Sequence, residues 1–162
     1  MDATDQRVLD ELRANGRASF AELARTVGLS ASALTDRVAK LEAAGVITGY
    51  RATVEPSLVG LGVAALVGIE PSDTGDDEAI ARDLTAHDEV ESCWTVAGAE
   101  AFVLLVRVPT VDALQRLLVR LRRVDGVART RTTVVLSTIV EGRTHPLWQD
   151  GALDAGPADG DG

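Results

Sequence analysis

The sequence predicts an α+β protein made of two unlike blocks. Two observations carry this. Before residue 45, apolar residues recur at helical spacing in three successive stripes. Beyond residue 61, strand-like apolar runs alternate with amphipathic segments in the order βαββαβ. Composition adds a limit on what fills the cores. Hydrophobic residues make up 46% of the 162-residue chain but aromatics only 3%, so the cores must be built from Ala, Val and Leu.

The first stripe is Val8, Leu9 and Leu12; the second is Phe20, Leu23, Ala24 and Val27; the third is Leu34, Val38 and Leu41. Ser19 is placed to cap the second helix, and Glu22 three residues later completes a capping box. Gly28 supplies the left-handed turn that ends that helix, Ser30 caps the third, and Gly45 terminates it. The short turn Gly28, Leu29, Ser30 between two helices, followed by the β-like text VITGYRATV, predicts a winged helix-turn-helix. The periodicity alone equally suits a three-helix unit with a solvated polar face.

In the second block GVAALVGIE reads as a buried strand. DDEAIARDLTAHDE reads as a helix with Ile80 and Leu84 inward and Asp76 to Glu78 at its N-terminus, where the helix dipole favours acids. VESCWTVAG and AFVLLVRVP are two strands joined by a turn around Gly98 to Glu100. TVDALQRLLVRLRRV is a second helix, with Leu114, Leu117, Leu118 and Leu121 as its stripe and Thr110 as its cap. VARTRTTVVLSTIVE is the last strand. This order is the split βαβ pattern of a ferredoxin-like sandwich.

Charge is distributed unevenly. The chain carries 16 Lys and Arg against 25 Asp and Glu, a formal charge of −9. Up to Gly60 the balance is 7 − 8 = −1, and the remainder carries 9 − 17 = −8. The acidity therefore lies mostly outside the helical block. The stretch DGALDAGPADGDG has almost no large apolar groups and reads as a disordered tail. No apolar run reaches the roughly 18 residues of a membrane span, and MDATDQRVLDEL is not a signal peptide, so the expected location is the cytoplasm. The single cysteine, Cys93, excludes an internal disulfide and reads as a packed residue. His87 and His145 are not in metal-like spacing, and Trp94 and Trp148 read as packing or interface residues.

With Leu34, Val38 and Leu41 inward, the third helix turns Ser32, Asp36, Ala39, Lys40 and Ala43 outward, flanked by Thr35 and Arg37. These side chains are short enough near the N-terminus to enter a major groove, with hydroxyls for base edges or phosphates. Ser30, the Ser32 hydroxyl and the helix amides suit a phosphate, and Arg37 and Lys40 supply charge. The expected DNA-binding set is Ser30, Ser32, Thr35, Asp36, Arg37 and Lys40, with Arg17 and Arg51 beside them.

The run ATDQRVLDELRANGRASFAELARTVGLSASALTDRVAKLEAAGVITGYRATVEPSLVGLG closely resembles the N-terminal half of the Lrp/AsnC family of transcriptional regulators, the feast/famine regulatory proteins. The matching features are Asp5, Gly16 and Arg17, Leu23 and Ala24, Leu29 and Ser30, Arg37 and Val38, Leu41 and Glu42, Gly45 to Ile47, Gly49 and Tyr50, Pro56, and Leu61 and Gly62. The resemblance extends over roughly residues 2–148, and the βαββαβ block fits the family's effector and assembly domain. It implies a third helix in the major groove and dimers formed through the second domain's sheets, often assembled into octamers or related rings. It also implies amino-acid effectors bound near the turn between the middle strands. The expected organisation is a winged helix-turn-helix over 1–50, a linker over 51–61, an effector-binding and oligomerisation domain over 62–148, and a tail over 149–162. In such an assembly several readers engage one DNA, and avidity compensates for the modest charge of each.

Two departures from the family pattern matter. Asp36 and Ala39 stand where family members often carry basic residues. Asp36 either accepts from a cytosine amino group or pairs with Lys40 four residues on, and the pairing is the favoured reading. The expected effector turn is Gly98, Ala99, Glu100, Ala101 and Phe102, and both usual Asp positions are Ala. Either Glu100 substitutes as the acid, or the ligand is not an ordinary amino acid, or none binds. The expected function is an oligomeric, sequence-specific DNA-binding transcriptional regulator with no enzyme activity, metal or cofactor. Its expected partners are double-stranded DNA, further copies of itself and a candidate amino-acid effector; no membrane is expected. A broadly binding chromosome-organising protein shares every motif and differs only in the ratio of specific to non-specific affinity. Sirohaem decarboxylases resemble the family in both domains but use His and Arg around a tetrapyrrole, and histidine is scarce here.

Overall fold

The computed structural model describes residues 1–142. His145, Trp148 and the tail expected over 149–162 lie outside the described residues. Contacts divide the chain into two compact units, one holding Met1–Ala52 and the other Thr53–Ile139.

The first unit packs α1 (Ala3–Ala14), α2 (Phe20–Val27) and α3 (Ala31–Ala43) around Val8, Leu9, Leu12, Leu23, Ala24, Val27, Leu34, Val38 and Leu41. All three expected stripes meet there, with Val8 and Leu34 completely buried; Phe20 instead lies on the surface. Each helix start is closed by a side chain. Asp2 caps α1, accepting from the Asp5 amide, while the Asp5 carboxylate accepts from the Asp2 amide. Ser19 and Glu22 form the same reciprocal box on α2. The Ser30 hydroxyl accepts from Ala33 N–H at the start of α3. Gly28 ends α2 at φ 81°, in the left-handed region where a Cβ would be strained.

The β-like segment that follows α3 is irregular. Residues 48–55 pair with no strand among the described residues. Alternation makes a strand only where another strand accepts its hydrogen bonds, and none lies alongside. Ile47 packs on the helical core, and the Tyr50 hydroxyl donates to Glu42 Oε1 at 2.9 Å, tying the segment back to α3.

The second unit begins with a one-turn 3-10 helix, Pro56–Val59, capped by Glu55. It continues with β1 (Val63–Pro71), α4 (Asp77–Thr85), β2 (Val90–Thr95), β3 (Phe102–Val108), α5 (Val111–Leu121) and β4 (Val127–Val135). The strands form one sheet in the order β2-β3-β1-β4, with every neighbouring pair antiparallel. Ala65, Val67 and Ile69 of β1 and Leu104, Val106 and Val108 of β3 face one side, where Ile80, Leu84, Leu114, Leu117 and Leu121 cover them. Asp76 and Thr110 cap α4 and α5. Cys93 packs at the margin of this core, and burial pushes its thiol pKa up. Behind Ile80 the chain passes so closely that a methyl group on Gly126 would lie 2.8 Å from the Ile80 Cδ1.

Among the described residues, the opposite face of the sheet carries no helix. Leu66, Trp94, Val103 and Leu105 stand on it, with Leu66 and Trp94 exposed. It is less apolar than the alternation suggests, because Arg107, Arg129 and Arg131 share it. Each is neutralised by an acid: Arg107 with Glu91 at 2.8 Å, Arg129 with Glu70 at 3.5 Å and Arg131 with Glu100 at 3.3 Å.

Candidate nucleic-acid interface and effector turn

The helix-turn-helix places α3 on a rigid base. Leu34, Val38 and Leu41 fix its inner face, and Ser32, Thr35, Asp36, Ala39 and Lys40 are exposed on the outer one. At its start the Ser30 and Ser32 hydroxyls lie 3.2 Å apart, so they act as one polar group beside the N-terminal amides. The Thr35 hydroxyl donates to the Ala31 carbonyl at 2.9 Å. Its proton is therefore committed, and what it offers outward is acceptor capacity and a methyl group.

Arg37 behaves differently from the rest of the expected set. Its guanidinium reaches back to the start of α1, donating to Asp2 Oδ2 at 2.8 Å and to Asp5 Oδ1 at 2.5 Å. The pairing binds α3 to the start of α1 across 35 and 32 residues of sequence. It also sets the acidity of the cap. The Asp5 amide, and after it the Arg37 guanidinium, hold the Asp2 carboxyl below its usual range. Glu22 is lowered similarly by the Ser19 amide and hydroxyl. Nothing in the periodicity of α3 signals this; the available signal was two acids, Asp2 and Asp5, at the start of α1.

Asp36 and Lys40 do not pair with each other, and neither makes an ion pair among the described residues. The favoured i, i+4 bridge is therefore not formed. Both side chains stand free on the outer face. Arg17 and Arg51 are exposed, the first in the turn after α1 and the second in the irregular segment after α3.

In the second unit, residues 96–101 form the connection between β2 and β3. Val96 N–H donates to the Ala101 carbonyl at 2.9 Å, closing the turn, and Ala101 N–H donates to Ile69 O at 2.9 Å, tying it to β1. Gly98 and Ala99 are exposed and Phe102 is buried in the core, which removes its side chain from any surface site. Glu100 does not project from the turn. It folds over Gly68 on the uncovered face and meets Arg131. Among the described residues no group of three or more His, Cys, Asp or Glu is arranged to hold a metal ion. No described helix is long and apolar enough to cross a membrane.

A capped three-helix reader with a small, polar outer face, joined to a separate α/β unit with a turn at one end of its sheet, defines a class: DNA-binding regulators that carry a small-molecule domain. Comparison with known proteins agrees. Residues 1–48 match the winged helix-turn-helix DNA-binding family model and residues 63–144 the Lrp/AsnC ligand binding domain. The HTH-type transcriptional regulator LrpA of Mycobacterium tuberculosis is 47% identical over 146 residues, covering 90% of this chain and 96% of that one. Regulatory protein AsnC of Escherichia coli is 32% identical over 137 residues, covering 84% and 90%. Among solved structures, a feast or famine regulatory protein from M. tuberculosis complexed with L-methionine superposes with a TM-score of 0.84 at 44% identity, covering 89% of this chain and 97% of that one. The chain belongs to the Lrp/AsnC family of transcriptional regulators.

Proposed function

We propose that the protein is a sequence-specific regulator that reads DNA with α3, assembles as at least a dimer, and responds to an amino acid or a related metabolite. The observation that carries this is the outer face of α3, small and polar at its N-terminus, on a helix whose opposite side is locked in a buried core. Ser30, Ser32, Thr35, Asp36 and Lys40 are the contacts, with Arg17 and Arg51 reaching phosphates beside them. Arg37 acts through the fold, positioning α3 against α1. The reader occupies 1–50, the linker 51–61 and the effector domain 62–148.

Assembly is supported by the uncovered sheet face. Leu66, Trp94, Val103 and Leu105 form an apolar centre. The arginines around it are already neutralised, so a second copy can bury the face without stranding charge. The effector reading is supported by the relatives. Besides the M. tuberculosis complex, a Neisseria meningitidis regulator of 29% identity and TM-score 0.82 was solved with L-methionine. In this chain the corresponding turn is 98–102, with Glu100 as its acid. The relatives' names favour regulation over catalysis, so we read the protein as non-enzymatic and cytoplasmic, working on DNA without a cofactor. The deciding experiment maps bound sites across the genome and compares affinity for the recovered site with that for random duplex. A ratio of at least about 10³ is expected of a specific regulator; a ratio near one refutes sequence-specific reading.

A further inference from the structure

On the uncovered face of the sheet, Glu100 of the 98–102 turn lies against Gly68 and Arg131. Gly68 sits in the middle of β1, between Val103 of β3 and Arg131 of β4. A glycine inside a central strand weakens it, and it marks a place where something approaches the backbone closely. Here the approaching group is Glu100. A Cβ on Gly68 would lie 2.7 Å from Glu100 Cγ and 3.2 Å from its Cδ and Oε1. Only glycine leaves room for the Glu100 stem to lie flat on the sheet. From that position the carboxylate meets Arg131 Nη1 at 3.3 Å, with the Glu100 side chain only 24% exposed. The turn is held in this pose by the Ala101 N–H to Ile69 O bond.

We infer that Gly68 and Arg131 form an internal latch: they hold Glu100 in an ion pair on the sheet, where Arg131 competes with the ammonium of an amino-acid ligand for that carboxylate. The inference rests on the reading that the 98–102 turn is an effector site. An incoming ammonium must take Glu100 from a cation already beside it, so Arg131 is a specificity-determining residue that weakens recognition of amino acids. A ligand without an ammonium does not need Glu100 and is indifferent to the latch. Gly68 and Arg131 are a strand-centre glycine and a strand arginine 63 positions apart in the sequence, and only the β1–β4 register joins them.

The test is calorimetry on the full chain with L-methionine as probe and N-acetyl-L-methionine as the probe lacking an ammonium. Arg131 is 76% exposed at its side chain in a single copy, so Arg131→Gln leaves the core of the unit intact. Because the proposed assembly covers this face, light scattering accompanies each titration, and Arg131→Lys, which keeps the cation, should bind methionine as the wild type does. Releasing an exposed pair of this kind should tighten methionine binding by up to about fivefold. The acetylated probe should be unaffected, and Glu100→Gln combined with Arg131→Gln should cancel the gain. If Arg131→Gln leaves methionine affinity unchanged or weakens it while the wild type binds, the latch is refuted and the effector reading stands. If neither the wild type nor any variant binds methionine, the latch is refuted, because freeing Glu100 then opens no amino-acid site; the effector reading is judged separately, by whether the acetylated probe binds.

Discussion

Replacing Arg37 by Ala separates two roles that one arginine on a reading helix can have. If it contacts a phosphate, its loss reduces the slope of log affinity against log salt by about 0.9 for each reader on B-form DNA. The geometry argues otherwise. Its guanidinium is engaged at 2.8 and 2.5 Å by Asp2 and Asp5, so the trio carries a net charge of 1 − 2 = −1 and offers no free cation. Lys40 is exposed and makes no ion pair among the described residues. The expected result is therefore asymmetric. Lys40→Ala lowers the slope by about 0.9 per reader and leaves stability unchanged. Arg37→Ala leaves the slope within error of the wild type but lowers the urea midpoint, because Asp5, only 15% exposed at its side chain, loses its cation. Asp5→Asn serves as the counterpart, loosening the guanidinium and steepening the slope. Fluorescence anisotropy of a labelled duplex between about 50 and 200 mM salt, with urea melts of each variant, measures all of these. A slope reduced by about 0.9 in Arg37→Ala, at an unchanged urea midpoint, refutes the clamp.

Two further perturbations test the packing and the caps. Gly126→Ala puts a Cβ at φ 84° and 2.8 Å from Ile80, and should cost about 1–3 kcal/mol by chemical denaturation; a neutral result means the loop before β4 moves freely away from α4. The capping carboxylates Asp2 and Glu22 are both depressed in the fold, so their contribution is complete above the ordinary carboxylate range and is lost as pH falls through the lower folded values. Helical stability of the reader should therefore hold from pH 7 to about 5 and decline below about 4, with a shallower decline in Glu22→Gln; circular dichroism melts that show the loss already above pH 5 contradict the assignment.

What the sequence reveals depends on the range of the interaction. The Ser19 and Glu22 box, the Ser30 and Thr110 caps and the helical stripes lie within a few residues of one another, so spacing alone exposes them. The strands of the second unit were readable because their inner residues alternate against a continuous core. Three features escaped, each for a physical reason. The Arg37 clamp joins α3 to the start of α1, and helical periodicity says nothing about what flanks a face in three dimensions. Asp36 and Lys40 have the spacing for an i, i+4 pair, but in water such pairs gain only a few tenths of a kcal/mol, too little for spacing to guarantee contact. The segment after α3 has strand-like alternation but no neighbouring strand to complete it. In the turn that we propose takes an effector, Glu100 was visible in the sequence as a nearby acid. Its partners were not, because they lie on strands that meet only through the sheet register.

Among the described residues the sheet ends in two free margins, β2 and β4. Bare margins are templates on which stray chains polymerise, and both are spoiled here. β2 is interrupted by a register shift between Val90 and Ser92, and β4 carries Arg129 and Arg131 amid threonines. In the assembly proposed above, a sheet that discourages extension sideways while keeping an apolar centre on its open side would direct a second copy to stack on that side. Stacking by a two-fold relation closes after one partner, whereas edge addition does not stop. On that proposal, the same arginines that temper the face would favour a countable assembly over a fibre.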